Sequence, residues 1–589
     1  VDADKLKQMA DKLRIHSLKA TTAAGSGHPT SCLSCAEIIS ALFFSEMKED
    51  DEFILSKGHA APILWAAYAE AGLVKEKELV NLRKITSNLE GHPTPLMPSV
   101  KVATGSLGQG LSAGVGMAVA KKLQKSIGRV YILLGDGECA EGSVWEAANT
   151  ANYKKLNNLC AVIDVNRLGQ SQETMHGYNT DEYRQKFQAF GWESEIVDGH
   201  DTKQLLKALE QARKSLGPFV IIAKTIKGKG VSFLENKEGF HGKALDNNLL
   251  KKALKEIGNV NIKLKSGIKD RKTEYQFINF PLDKYKGRGK FSTRDAFGKA
   301  LLNLGKKNDK VVVLDGDVKN STMTKYFFES FPERSFECFI AEQNMAGMAI
   351  GLSSQGFIPF AATFSAFWTR AHDFIRMAAY SKANIKFVGS HAGVSIGEDG
   401  PSQMGLEDLP MFLSIPESVI LYPCDAVSAE NLVREMAKHV GISYLRTTRE
   451  ATQLVYDNDE KFPIGRFKIL KQSKNDKVLV IAAGITVHEA LKAYDELKKK
   501  KKVNIRVIDL YSVKPLDREG LIKNAKECGD NVIVVEDHYP NGIGCAVSEI
   551  LGKVKHLCIK EIPRSGKPEE LMKKYGIDSS AIIKAVQDF

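Results

Sequence analysis

The chain has 589 residues, 43% of them hydrophobic and 26% charged, the balance of an ordinary globular protein with room for about three to four domains. No apolar run approaches the ~20 residues that cross a bilayer, and the start at Val1-Asp2-Ala3-Asp4-Lys5 carries no basic-then-apolar signal, so a cytoplasmic protein without membrane contact is expected. The 83 basic against 71 acidic residues give a net charge of +12, spread along the chain rather than gathered into a nucleic-acid-binding face, so no nucleic-acid partner is expected.

Nine cysteines, odd in number and scattered, argue against a disulfide framework. Cys32 and Cys35 have CxxC spacing within Ser31-Cys32-Leu33-Ser34-Cys35-Ala36-Glu37, which is patterned as a helix with both thiols on one side. No second Cys/His pair accompanies them, so packing outweighs a metal or redox role. Apolar runs at 130–134, 159–163, 311–314, 478–481 and 531–535 read as strands, each followed by a turn and a helix-period segment. Strands buried on both faces between helices predict an α/β protein with three doubly wound domains and mainly parallel sheets. Residues 259–287 are Lys-rich and poor in apolar runs, carry Pro281 and lead into the turn at Gly287, and they read as a linker. A second weak stretch at 457–476 leads into the last α/β segment, so the expected domains are 1–258, 288–456 and 457–589. The densest basic block, Lys498 to Lys502, ends an amphipathic helix marked by Ala490, Leu491, Tyr494 and Leu497, where cations suit the helix C-terminus.

The strongest chemical signal starts at the end of a strand, in Leu134-Gly135-Asp136-Gly137-Glu138. After a helix and another strand comes Asp164-Val165-Asn166-Arg167-Leu168. Ligands of doubly wound sheets bind at the carboxyl ends of parallel strands, so these two ends can converge on one cation. The Asp136 carboxylate, the Asn166 side chain and the Leu168 carbonyl form the oxygen-only set that Mg²⁺ or Ca²⁺ prefers, with places left for phosphate oxygens and water. Gly135 and Gly137 let the backbone approach a diphosphate closely. Four histidines, His28, His59, His92 and His241, fall in turns rich in Gly, Pro and Ser, and none has zinc-site spacing.

The segment resembles the diphosphate-binding domain of thiamine-diphosphate enzymes, and the chain as a whole resembles the animal-type transketolase family. The motifs that carry the resemblance are Ala24-Gly25-Ser26-Gly27-His28-Pro29, Ser56-Lys57-Gly58-His59-Ala60, Gly91-His92-Pro93, Thr104-Gly105-Ser106-Leu107-Gly108-Gln109-Gly110, Ala341-Glu342-Gln343-Asn344 and Gly397-Glu398-Asp399-Gly400-Pro401-Ser402-Gln403. The resemblance implies a diphosphate-binding domain at 1–258, a pyrimidine-binding domain at 288–456 and a C-terminal domain. It implies thiamine diphosphate with Mg²⁺ or Ca²⁺ as cofactors, bound by Ser31, His59, Gly105, Ser106, Leu107, Gly137, Asn166, Lys227, His241, Phe367 and Gln403.

Glu342 would hydrogen-bond the aminopyrimidine ring, favouring the imino tautomer that removes the thiazolium proton. His28, His92 and His241 would serve the sugar hydroxyls as proton-transfer partners, and Phe367 would stack on the pyrimidine. Arg294, Ser321, His391 and Arg449 would take the sugar phosphate, and Asp399 would read a hydroxyl. The implied reaction moves a two-carbon ketol unit, carried as a thiamine-bound enamine, from xylulose 5-phosphate to ribose 5-phosphate or erythrose 4-phosphate in the pentose phosphate pathway. The implied assembly is a homodimer with active sites between chains. The chain departs from the family between Met47 and Phe53, where Lys48-Glu49-Asp50-Asp51-Glu52 stands for a longer segment. Alternatives are 1-deoxyxylulose-5-phosphate synthase, dihydroxyacetone synthase, or a transketolase-like protein kept for binding or regulation.

Overall fold

The apolar runs become the centres of three sheets in the computed structural model, which describes residues 1–271, 273–287 and 289–589. The described residues fall into two compact units. The first is Val1–Glu274 with Ala346–Gly356, and the second is Tyr275–Met345 with Phe357–Phe589. Among the described residues no helix is long and apolar enough to cross a membrane.

The first unit is built on β1 (Glu52–Leu55), β2 (Val130–Gly135), β3 (Leu159–Val165), β4 (Glu193–Asp198) and β5 (Phe219–Lys224), all parallel in the order β1-β2-β3-β5-β4. Every residue of β2 and β3 is buried, which is why their sequences show no in-out alternation. A 22-residue helix, Ala3–Ala24, packs Leu6, Met9 and Leu13 into the same core as Ile38, Phe43 and Trp65. Asp2 caps its start, and Gly25, in the left-handed conformation at φ 60°, ends it and delivers the turn that carries His28.

The segment holding Cys32 and Cys35 is not one helix. Pro29–Ser34 stops at Cys35 and Ala36–Ala41 resumes, with both thiols buried. Cys35 donates to the Ser31 carbonyl, and burial pushes its thiol up to about 12, so packing explains the pair. The connection Lys48–Glu52 leading into β1 closes on itself: the Asp51 N–H donates to the Lys48 carbonyl and the Lys48 N–H to the Asp51 carboxylate, which also accepts from the Arg129 N–H.

The second unit begins with β6 (Lys290–Ser292), β7 (Val311–Asp315), β8 (Ser335–Glu337), β9 (Ile358–Phe364), β10 (Lys386–Ser390), β11 (Val419–Leu421), β12 (Ser443–Arg446) and β13 (Ala451–Gln453). It continues with β14 (Lys468–Lys471), β15 (Val478–Ala482), β16 (Ile505–Asp509), β17 (Ser512–Lys514), β18 (Val532–Val535) and β19 (Lys555–Leu557). One sheet runs β17-β11-β12-β10-β9-β7-β8 and the other β14-β16-β15-β18-β19, while β6 and β13 form a small antiparallel ribbon. The exceptions to parallel pairing sit at edges: β14 on β16, and β17, which leaves the last segment to pair with β11. That exchange covers an open edge, and one apolar core runs through both sheets. The lysine block follows the helix Ile485–Glu496 in a wide final turn, with Leu497 buried and Lys502 left-handed at φ 55°.

Candidate active site

The carboxyl ends of β2 and β3 bring the predicted oxygen ligands together. Asp136 accepts from the Gly137 N–H (2.9 Å), the Arg167 N–H (2.8 Å) and the Thr174 hydroxyl (3.0 Å). Burial, and then the charge of Asp164, push its carboxyl up to about 6, the signature of a carboxylate still short of positive charge. The Asn166 amide donates to Asp164 (3.1 Å), which leaves its oxygen as the acceptor end, 3.3 Å from the Leu168 N–H. The Leu168 carbonyl accepts from the Lys227 ammonium at 2.6 Å and keeps a second lone pair.

Around this point three imidazoles ring His28, with centroids at 5.1 Å (His241), 5.3 Å (His59) and 6.3 Å (His92). Burial, reinforced by neighbouring cations, holds them neutral: His28 falls to about 4, His241 to about 3, and His59 and His92 are also lowered. Lys227, 2.7 Å from His241 Nδ1, is lowered by burial to about 8. Gly105, at φ 131°, lies against the His92 ring, where a Cβ would stand 2.9 Å from it. Next to Gly105, Ser106 is half-buried and Leu107 is exposed. The buried Ser31 hydroxyl and His28 Nδ1 have no hydrogen-bond partner among the described residues. These orphaned groups, the all-oxygen donor set and the glycine-lined approach fit a diphosphate with a hard divalent cation.

The other candidates lie in the second unit. Glu342, 4% exposed, opens the helix Glu342–Ser354 and faces the Arg370 guanidinium, 3.3 Å from either carboxylate oxygen. Phe364 and Phe367 stack at 5.0 Å, and Phe364 also stacks with the His391 ring at 3.8 Å. His391 holds a left-handed backbone at φ 58°, and burial with Arg294 and Arg449 lowers its imidazole to about 3. Arg294 donates to the Ser321 carbonyl (2.9 Å), and Arg449 to the Ile396 carbonyl and Asp399 (3.1 Å each). Arg294 has no carboxylate at ion-pair distance among the described residues, whereas Arg449 pairs with Asp399, and after burial the charge of Arg449 lowers the Arg294 pKa further, so the cluster offers charged donors that an anion would satisfy. Gln403 is half-buried, its N–H on the Gly400 carbonyl.

Sequence reasoning missed the supports of the first site. Asp164 is fully buried and receives Lys57, Ser34, Thr225 and Asn166 together. It takes the Asn166 amide N–H and leaves the amide oxygen free to accept, the orientation a metal ligand would need. Glu138, also buried, ties the Gly-rich loop to the strand ends by accepting from the Ser56 hydroxyl and the N–H groups of Gly108 and Gly135. Asp164 stood in the strand-Asn motif and Lys57 in the Ser-Lys-Gly-His motif, but nothing local paired them.

This combination marks a thiamine-diphosphate-binding α/β protein, and sequence comparison narrows it. Residues 5–270 match the profile described as "Transketolase, thiamine diphosphate binding domain", residues 289–454 "Transketolase, pyrimidine binding domain" and residues 466–582 "Transketolase, C-terminal domain". The chain is 49% identical to transketolase of Homo sapiens, covering 99% of this chain and 97% of that protein. It is 48% identical to transketolase-like protein 2 of Mus musculus, with the same coverage. A crystal structure of transketolase from Campylobacter jejuni superposes with a TM-score of 0.91 at 26% identity, over 100% of both chains. The chain belongs to the transketolase family.

Proposed function

We propose that this chain is an active transketolase that moves a two-carbon ketol unit from a ketose phosphate, such as xylulose 5-phosphate, to an aldose phosphate, such as ribose 5-phosphate or erythrose 4-phosphate. The observation that supports the reading is the cluster of Arg294, Arg449, Ser321 and His391, where a sugar phosphate would be held, in a chain whose Asp136 to Leu168 region also suits a diphosphate with a divalent cation. In this reading Asp136, Asn166 and the Leu168 carbonyl hold Mg²⁺ or Ca²⁺, while Ser31, His59, Gly105, Ser106, Leu107, Gly137, Lys227, Phe367 and Gln403 hold thiamine diphosphate. When bound, the cofactor supplies a carbon nucleophile and an electron sink.

The chain's residues do the rest. Glu342 shares a proton with the pyrimidine ring, and its burial keeps water from competing. The imidazoles of His28, His92 and His241, kept neutral, each present a hydrogen-bond donor and an acceptor to the sugar hydroxyls, the contacts through which proton transfer would run. Arg294 and Arg449 hold the phosphate by paired charge-assisted hydrogen bonds, and Asp399 accepts from a sugar hydroxyl. We further propose a cytoplasmic homodimer with three domains per chain at 1–258, 288–456 and 457–589, joined at 259–287.

Glu342→Gln tests the assignment. The variant should bind thiamine diphosphate within a few-fold of the unmodified protein and lose about 10²–10⁴-fold in ketol transfer. Full activity in the variant would overturn it. A second reading, a family member that binds cofactor but turns over poorly, is favoured only by the shortened Lys48–Glu52 connection. It predicts negligible transfer before any substitution.

A further inference from the structure

The three residues after β18, Glu536, Asp537 and His538, are all fully buried. In open α/β sheets this position, the carboxyl end of an inner strand, is where ligands dock. Here it grips protein instead. Glu536 accepts from the Ile543 and Gly544 N–H groups (2.6 and 3.0 Å) at the start of the next helix. Asp537 reaches into the turn that follows His391: one oxygen accepts from the Val394 N–H at 2.7 Å, the other from the Ser395 N–H at 3.1 Å. Gly393, at φ 79°, leaves the space for this contact, since a Cβ there would run into the Asp537 carboxylate. Arg446, fully buried, grips the other side. It donates to the Asp537 carbonyl (3.1 Å) and the Gly405 carbonyl (2.7 Å), and Asp408 holds its Nε at 2.8 Å. Gly405 in turn accepts from the Gly393 N–H and donates to the His391 carbonyl. The residue after Ser395, Ile396, offers the carbonyl that holds Arg449.

We propose that Asp537 is a positioning residue for the sugar-phosphate end: by fixing the backbone of Val394–Ile396 it sets the His391 ring and the Arg449 guanidinium for phosphate binding. The inference rests on the functional reading above and gives the C-terminal sheet a part in it. The carboxylate accepts two charge-assisted bonds from amides that no water reaches, so its loss leaves two buried donors unpaired and the turn free to shift. A purely cohesive role would lower stability and leave the phosphate end unchanged.

The test compares Asp537→Asn, which keeps one acceptor oxygen and nearly the same shape, with Asp537→Ala. Amide hydrogen exchange is followed over residues 392–398, with β18 as internal control. Inorganic phosphate binding is measured by calorimetry, and KM for xylulose 5-phosphate is set against kcat. The expected result is exchange about tenfold faster at 392–398 but not in β18, phosphate binding and KM each weakened about tenfold, and kcat within about threefold. Unchanged exchange at 392–398, or a lowered melting temperature with unchanged phosphate binding, would overturn the proposal. If the alanine variant does not fold, the asparagine variant carries the test. If the unmodified protein shows no ketol transfer, the functional reading fails, while exchange and phosphate binding still decide the role of Asp537.

Discussion

The first unit gathers three imidazoles within 6.3 Å of His28, whereas the second sets two guanidiniums around the single imidazole of His391. Both places are at least partly withdrawn from water and electropositive in composition, but desolvation acts on them in opposite ways. An imidazole withdrawn from water gives up its proton and becomes a neutral donor-acceptor pair, suited to hydrogen-bonding hydroxyls. A guanidinium cannot give up its proton, so it keeps its charge for a ligand that never loses its own. The same net charge of +12 therefore says little about either site. What matters is which cations can be switched off.

The supports differ as well. In the first unit the fully buried Asp164 carboxylate neutralises Lys57 and orients Asn166. Asp164→Ala should break this side most severely. It strands the Lys57 ammonium in the core, at a cost of about 3–5 kcal/mol in urea unfolding, and leaves the Asn166 amide without its orienting partner. A loss below about 1 kcal/mol would mean that Lys57 and Asp164 are solvated and that Asp164 does not hold this side together.

Arg449→Met should break the other side without touching the fold. Removing charge-assisted bonds worth about 1.5–3 kcal/mol raises KM for a phosphorylated ketose about 10–150-fold. The KM of an unphosphorylated ketose should stay within a few-fold. Equal losses on both substrates would place Arg449 away from the phosphate.

Titration gives the finest distinction. His28 and His241 lie at about 4 and 3 in the folded protein, below the ordinary 6.5, so the unfolded chain binds more protons between those values. Stability is full above pH 6.5 and falls as the pH drops toward 4. Replacing His28 by Asn should reduce the proton uptake on unfolding near pH 5 by about one. An unchanged slope of unfolding free energy against pH would show that His28 is not held neutral.

The strands were legible because β2, β3, β7, β15 and β18 are continuous apolar runs, and the candidate cation ligands because Asp136 and Asn166 stand at the carboxyl ends of two of them. The four histidines were visible as turn residues, but only the fold shows them in one cluster. Pairings that span long stretches of chain left no local trace. Lys57 with Asp164, and Asp537 with Val394 and Ser395, each join segments more than 100 residues apart. The exchange of β17 onto β11 and the break of the helix at Cys35 were hidden for a related reason, since tertiary packing rather than local pattern decides both.

Every role proposed for these residues depends on ketol transfer. The most direct test incubates the purified protein with xylulose 5-phosphate and ribose 5-phosphate, with and without thiamine diphosphate and Mg²⁺. Sedoheptulose 7-phosphate and glyceraldehyde 3-phosphate are expected in equal amounts, formed only when the cofactors are present. Absence of both products from a protein shown to bind thiamine diphosphate would contradict ketol transfer.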